Sequence, residues 1–227
     1  MAVALIYAQA GGGKTVNTTL VKGKKNILLN SDNSALVLKN FDRPNLTIER
    51  IEHWCEQDNK GIKQNCLKSQ FRKAVEDGYS NIIIDNVSDI FDLAILEYDE
   101  NQRYKDMRQA YQKVYQDLKR LVREATQVGC NVIFTAWSEL VEVPTSDGNM
   151  ITRMQPKIPG KILDNFLGLC NVVGLVRSSH KDKKDPNSPM MWYYRLQGSE
   201  QIYAKDQLYC RKSCMPEDLF ESEVKNG

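Results

Sequence analysis

The sequence predicts an α/β fold: a mostly parallel central sheet flanked by helices, with antiparallel hairpins late in the chain. Short apolar runs rich in β-branched residues recur along it, at 3–7, 81–85 and 130–137, as buried parallel strands do. Stretches of helical spacing, at 62–75 and 104–127, lie between them, and that alternation argues a sheet with crossover helices. The chain has 227 residues, 41% of them hydrophobic and 26% charged. Such a chain can close one core over residues 1–227 without disulfides or a metal, so a single domain is expected.

The elements can be justified in order. Residues 3–7 are an apolar run ending in glycines, the pattern of a strand feeding a loop. A short helix over 15–21 stops at Lys22-Gly23. A second buried strand at 26–29 precedes the turn-prone Asn30-Ser31-Asp32-Asn33, and 46–51 is a further short strand. The helical pattern of 62–75 closes at Asp77-Gly78, and Asn81-Ile82-Ile83-Ile84-Asp85 is a β-branched run ending in an acid. Over 104–127, Met107, Tyr111, Val114, Leu118, Leu121 and Ala125 fall on one stripe of an amphipathic helix. After the strand at 130–137, segments 141–143 and 150–152 flank Asp147-Gly148 as a projecting hairpin. A helix at 161–169 and a strand at 171–176 come next, and 190–196 with 201–204 predict a terminal antiparallel pair. No internal repeat or low-complexity tract interrupts this order.

The 31 Lys+Arg and 29 Asp+Glu leave a formal net charge of +2, so a nucleic acid would have to be met by a local patch. The apolar opening 1–8 is too short for a membrane span and lacks the basic start of a signal peptide. A reduced cytoplasmic setting with no membrane partner is expected. Of the six cysteines, Cys130 and Cys170 sit beside apolar runs and read as small core residues. Cys210 and Cys214 are the closest pair, but the two histidines, His53 and His180, lie far from them in sequence, which argues against zinc.

The most informative stretch is Gln9-Ala10-Gly11-Gly12-Gly13-Lys14-Thr15-Val16, set between a predicted strand and a predicted helix. Glycines let successive backbone N–H groups point inward as an anion nest, and the helix N-terminus adds partial positive charge. Lys14 is placed to reach the β- and γ-phosphates of a nucleotide, and Thr15 to ligate Mg²⁺. Alanine stands at position 8, where the full pattern has glycine; it fits if the backbone there keeps φ negative. A phosphate loop needs a second metal anchor, normally an acid at the tip of a neighbouring strand, and Asp85 supplies it, with Asn86 and Ser88 as neighbours that could assist. Asp32, beyond the second strand, and Glu139, beyond the 130–137 strand, are the candidates for orienting the attacking water.

Through these segments the chain resembles the small phage-encoded RecA-like ATPases, single-strand annealing or recombination proteins that consist of little but the ATPase core. The resemblance runs through 8–15, Leu28-Leu29-Asn30-Ser31-Asp32, 82–85, Val132-Ile133-Phe134-Thr135-Ala136-Trp137, Pro156-Lys157-Ile158-Pro159-Gly160-Lys161 and Ile202-Tyr203-Ala204-Lys205-Asp206. It implies a RecA-like P-loop core that hydrolyses ATP with Mg²⁺, binds single-stranded DNA and assembles into a homo-oligomeric ring or filament. A single-strand binding protein or another phage or host replication protein would be a further partner. The acid after the second strand is usually glutamate in such proteins; here it is Asp32.

RecA-like proteins hold DNA with loops that come after the acid-bearing strand and the next one. The matching stretches are 97–105, with Arg103 and Lys105, and 139–161, with Arg153, Lys157 and Lys161. Lys157, Lys161 and Lys205 have a second possible role, completing the nucleotide site of a neighbouring subunit, and both stay open. Two other functions also remain. One is a P-loop small-molecule kinase, disfavoured because Arg153, Arg177, Arg195 and Arg211 lie far apart rather than as a lid cluster. The other is a nucleotide-dependent protein-interaction module with little hydrolysis.

Overall fold

The computed structural model describes residues 1–54, 57–58, 61–100, 106–145, 147–182, 184–185 and 187–222. In chain order the elements are β1 (Val3–Ala8), α1 (Lys14–Thr18), β2 (Asn26–Asn30), a 3₁₀ helix (Asn33–Asn40), β3 (Leu46–Arg50), β4 (Gln57–Asp58), β5 (Gly61–Ile62), α2 (Leu67–Glu76), β6 (Asn81–Asp85), α3 (Val87–Glu100), α4 (Met107–Ala125), β7 (Asn131–Pro144), β8 (Met150–Pro156), α5 (Gly160–Leu169), β9 (Val172–His180), β10 (Met190–Arg195), β11 (Lys205–Asp206) and β12 (Ser213–Cys214), with a last 3₁₀ turn at Pro216–Asp218.

The main sheet has the order β12-β10-β9-β1-β7-β6-β2-β3. The run from β9 to β3 is parallel throughout, and β10, β11 and β12 close that end antiparallel. It is the predicted α/β architecture, with one strand, β7, between the glycine-loop strand and the acid-bearing strand. β1, β2 and β6 are buried along their whole length, as strands covered on both faces must be. One face packs Leu5, Tyr7, Ile82, Ile84 and Phe134 against Val114, Leu118, Leu121, Ile162 and Phe166 of α4 and α5. The other packs Ala4, Ile6, Leu28, Ile83 and Ile133 with Val16, Val21, Val176 and Tyr194 around α1. The carboxyl ends of β1, β2 and β6 therefore open on one rim, where open α/β sheets bind ligands.

Several elements depart from the expectation. Residues 97–100 belong to α3 rather than to a loop, and Glu97 and Tyr98 are buried in it. The signal was present: Val87, Ile90, Ala94 and Tyr98 recur at helical spacing and all face the core. On α4 the apolar stripe holds from Val114 onward, but Met107 and Tyr111 stand partly exposed, and Tyr111 leans instead on Phe91 and Tyr115. Strand β10 pairs with β9 and β12, not with 201–204; the late partner of β9 is β11. The projecting hairpin is β7–β8, in register from Ser138↔Pro156 to Pro144↔Met150. Cys130 and Cys170 are core residues, while Cys210 is exposed at a positive φ of 54° and Cys214 is buried. Cys55 lies outside the described residues. Among the described residues, no helix is long and apolar enough to cross a membrane.

Candidate active site

The loop leaves β1 at Ala8, whose strand pairing runs Ala8↔Trp137. Ala8 is thus regular strand with an ordinary negative φ, so alanine at this position carries no backbone cost. Its methyl constrains the loop four residues on. A Cβ at position 12 would lie 2.9 Å from the Ala8 Cβ and 2.9 Å from the Gln9 carbonyl oxygen, so only glycine fits there. Gly11 and Gly13 have φ of +71° and +76°, the left-handed region that side chains resist. The turn is closed by Gly12 N–H donating to the Gln9 carbonyl at 3.0 Å, and Asn17 Nδ2 donates to the Gly13 carbonyl at 2.8 Å. Gln9, Ala10 and Gly11 are exposed, so the concave backbone faces outward.

Lys14 begins α1 but folds back over the loop, its Nζ donating to the Gln9 carbonyl at 3.3 Å. Only 7% of the residue is exposed. Burial pushes its ammonium below the ordinary lysine range, while the nearby charges of Asp85 and Asp32 oppose that shift. A desolvated cation beside an outward-facing backbone nest is suited to an anionic ligand. Because α1 is only five residues long, this attraction rests on Lys14 and the loop amides more than on a helix dipole.

Asp85, at the tip of β6, is 1% exposed. Its partners are neutral hydroxyls: Thr15 Oγ1 donates to Oδ2 at 2.5 Å, Ser34 Oγ to Oδ2 at 2.9 Å, and Thr135 Oγ1 to Oδ1. Burial raises the carboxyl above the usual range; the Thr135 and Thr15 hydroxyls pull it down, and neighbouring Asp32 pushes it up again. The peptide between Asp85 and Asn86 is cis. Asp32 caps the first 3₁₀ helix, its Oδ1 accepting from Ser34 N–H at 2.8 Å and from Asn30 Nδ2 at 3.1 Å. Its Oδ2 accepts from Asn86 Nδ2 at 2.7 Å. One carboxylate is therefore sunk behind the loop, and a second, half-buried one is aimed across the same rim.

The donor set suits magnesium. Thr15 and Asp85 offer hard oxygen ligands already in contact, and Mg²⁺ takes few protein oxygens beside those of a phosphate. These two residues would hold the ion, as the sequence pattern anticipates. Ser34, Thr135, Asn30 and Asn86 complete the cluster. Ser88, by contrast, accepts from Trp137 N–H at 3.1 Å and donates to the Lys157 carbonyl at 2.8 Å, fastening α3 to the root of the hairpin.

The remaining predicted residues are placed elsewhere. Glu139 accepts from Gln155 Nε2 at 2.9 Å across the β7–β8 hairpin. It lines a cleft with Ser88, Phe91, Asp92, Lys157, Ile158, Pro159 and Gly160 that includes no phosphate-loop residue. It lies two residues past Trp137, the partner of Ala8 at the end of β1, and its carboxylate is engaged by the opposite limb of the hairpin. Arg153 is tied through Nε to the Glu200 carbonyl at 2.8 Å. Lys157 is exposed with its ammonium 5.5 Å from the centre of the Trp137 ring, and Lys161 is exposed in the first turn of α5. Lys205 pairs opposite Val173 near the start of β9, toward the amino ends of the parallel strands. That register separates it from the rim, so it is not brought to this chain's loop. Arg103 and Lys105, with Tyr104 between them, lie outside the described residues.

A family model described as an AAA domain matches residues 2–208, nearly the whole chain. The chain belongs to this family. Membership of a P-loop ATPase family implies nucleotide binding, typically with Mg²⁺, and suggests ATPase activity. No curated protein matches the chain. Solved structures similar to it include a KaiC-like protein from the hyperthermophilic archaeon Pyrococcus horikoshii, at 13% identity and a TM-score of 0.46, covering 85% of this chain and 76% of that one. An ATPase from the type III secretion system of pathogenic bacteria aligns at 14% identity and a TM-score of 0.49, over 78% of this chain and 51% of that one. The flagellar accessory protein FlaH from Methanocaldococcus jannaschii aligns at 9% identity and a TM-score of 0.42, over 93% and 83%.

Proposed function

We propose that the chain is an ATP-hydrolysing DNA recombination or single-strand annealing protein of the phage type, acting in the cytoplasm as a homo-oligomer on single-stranded DNA. The observation that carries the reading is the path of β7. Its Thr135 donates to Asp85 at the metal end of the site, and the same strand runs on into the hairpin whose return limb leads to Lys157 and Lys161. A change of ligand at Asp85 and a contact on the hairpin are thereby two ends of one rigid element.

In this reading Lys14 binds the phosphates, and Thr15 and Asp85 would hold Mg²⁺, which would supply positive charge against that developing on a transferred phosphoryl group. Asp32 orients the attacking water. Its carboxylate is fixed by Asn30, Ser34 and Asn86 and shares the field of Lys14 and Asp85. Lys157 and Lys161 meet the DNA phosphates, and exposed Leu140 and Met150 on the hairpin face the bases. A single-strand binding protein is the partner this substrate implies.

The test is ATP hydrolysis with and without single-stranded DNA at low salt, with Lys14→Ala as control. Stimulation that vanishes in the variant and weakens as salt rises is the expected result. Hydrolysis indifferent to DNA, with no DNA bound at low salt, would overturn the DNA reading and leave a P-loop ATPase with another partner.

A further inference from the structure

The antiparallel end of the sheet does more than close it. Pairing between β1 and β9 ends at Tyr7↔Leu175, but β9 continues through residues 176–180 with β10 alongside, from Tyr194↔Val176 to Met190↔His180. At ordinary strand spacing this two-stranded wall rises roughly 13 Å beyond the end of β1. Side chains alternate across it. Val176 and Tyr194 lie in the core beneath α1, so Ser178 and Trp192, two residues further along each strand, project from the same face beside the phosphate loop.

Trp192 reaches that loop. Its six-membered ring lies against Gly13: a Cβ built there would be 3.4 Å from Cζ3 and 3.5 Å from Cη2. The residue is nonetheless 39% exposed. A scattered exposed tryptophan means little. This one adjoins the glycine where the anion nest meets α1, on a wall rising past the rim.

We propose that Trp192 is the platform on which the nucleobase stacks when the phosphates sit in the loop. The inference rests on the nucleotide reading of that loop and extends it by naming what holds the other end of the ligand. A nucleoside phosphate presents a charged tail and, one sugar away, a flat π-face; Lys14 with the loop amides matches the first and the indole matches the second. Stacking tolerates every base, because each has a π-face, and it favours larger rings. Adenine and guanine nucleotides therefore bind with similar strength, and cytosine nucleotides more weakly.

Calorimetric titration with Mg-ADP, Mg-GDP, Mg-CDP and inorganic tripolyphosphate tests this on the wild type, Trp192→Ala, Trp192→Phe and Lys14→Ala. Trp192→Ala is expected to weaken ADP about tenfold or more, the usual effect of removing a stacked ring, and to leave tripolyphosphate unchanged. Trp192→Phe recovers most of the loss. Equal losses for ADP and tripolyphosphate would make Trp192 a prop for Gly13, and no loss for either would make it a bystander; each overturns the proposal. Should Trp192→Ala fail to fold, fluorescence decides. ADP quenches the wild type and not Trp192→Phe, tripolyphosphate quenches neither, and equal quenching of both proteins by ADP overturns it. The underlying reading fails differently: Lys14→Ala then binds ADP and tripolyphosphate as the wild type does.

Discussion

Asp85 and Asp206 are both buried carboxylates on one sheet, and they are held in opposite ways. Asp206 accepts from Arg211 Nε at 2.7 Å and from the amides of Leu208 and Tyr209 at 3.0 and 3.1 Å. Burial would raise its carboxyl, but the Arg211 guanidinium and the amides of Tyr209 and Arg211 outweigh it and hold it below the usual carboxylate range. The same guanidinium donates to the carbonyls of Asp218, Leu219 and Glu221, tying the segment around β11 and β12 to the C-terminal turn. Among the described residues, Asp85 has three hydroxyls and no guanidinium or ammonium within hydrogen-bonding distance, and burial leaves it raised. A carboxylate bound to a permanent cation is finished chemistry, whereas one surrounded by neutral donors is still a ligand for something positive.

The sharpest way to break this comparison is the same substitution at both sites. Asp85→Asn should cut ATP hydrolysis by a factor on the order of 10²–10³, the usual loss when one group stabilising the transition state is removed. Its melting temperature should hold or rise. The amide is neutral, and the Thr15, Ser34 and Thr135 hydroxyls can rotate to serve either of its polar atoms. A melting temperature lowered by several degrees would make Asp85 a structural anion.

Asp206→Asn should do the reverse. Removing one partner of a buried pair costs about 3–5 kcal/mol, to be read as a shifted urea midpoint. Hydrolysis by the folded protein should change little, because Asp206 lies opposite Val172, at the other end of β9 from the rim. A stability change under 1 kcal/mol, by the usual yardstick for surface pairs, would mean the Arg211 network is ornamental.

Acid titration sharpens the contrast further. Asp117 resembles Asp206: burial opposes ionisation, but Lys113, Lys68 and Tyr98 together hold its carboxyl low. A depressed folded-state pKa adds stability that is full above the unfolded value, about 3.9, and is lost as pH falls below it toward the folded value. Stability measured by urea unfolding should therefore drop as pH falls below about 4, where the unfolded chain binds more protons. Asp206→Asn should flatten part of that limb. An unchanged slope in the variant would show that Asp206 is not depressed.

How far each residue could be read from sequence depends on the kind of signal it leaves. Gly-Lys-Thr after an apolar run and an acid closing Ile82-Ile83-Ile84 are dense patterns, and the loop, its lysine and Asp85 stand where the patterns put them. Ala8 is accepted because the loop begins one residue after it, a point of register that spacing alone does not reveal. Ser34 and Thr135 were invisible for another reason. A hydroxyl that serves a distant carboxylate has no periodicity of its own: Ser34 sits in a short 3₁₀ helix, and Thr135 inside a run of buried β7 residues. The helix α3 was legible from its spacing and was obscured by the expectation of a DNA loop at 97–105. Glu139 shows the limit of position along a strand as a guide. β7 runs on to Pro144, so the strand does not stop where its buried half ends, and Glu139 meets Gln155 across the hairpin, a pairing that position alone does not reveal.

Ser34 then gives the finest test of what the neutral donors do. It touches both acids of the site, its amide donating to Asp32 Oδ1 and its hydroxyl to Asp85 Oδ2, while accepting from Asn30 Nδ2 at 2.9 Å. Ser34→Ala removes one of three hydroxyl donors to Asp85 and leaves the amide contact to Asp32 in place. A hydrogen bond to a charged group is worth about 1.5 kcal/mol at the low end, so hydrolysis should slow by roughly tenfold. The melting temperature should barely move, because Thr15 and Thr135 still meet both carboxylate oxygens. A rate equal to the wild type would reduce Ser34 to a cap for its own 3₁₀ helix. A loss as large as that of Asp85→Asn would mean the hydroxyl positions Asp32 as well, and that the two carboxylates work as one unit.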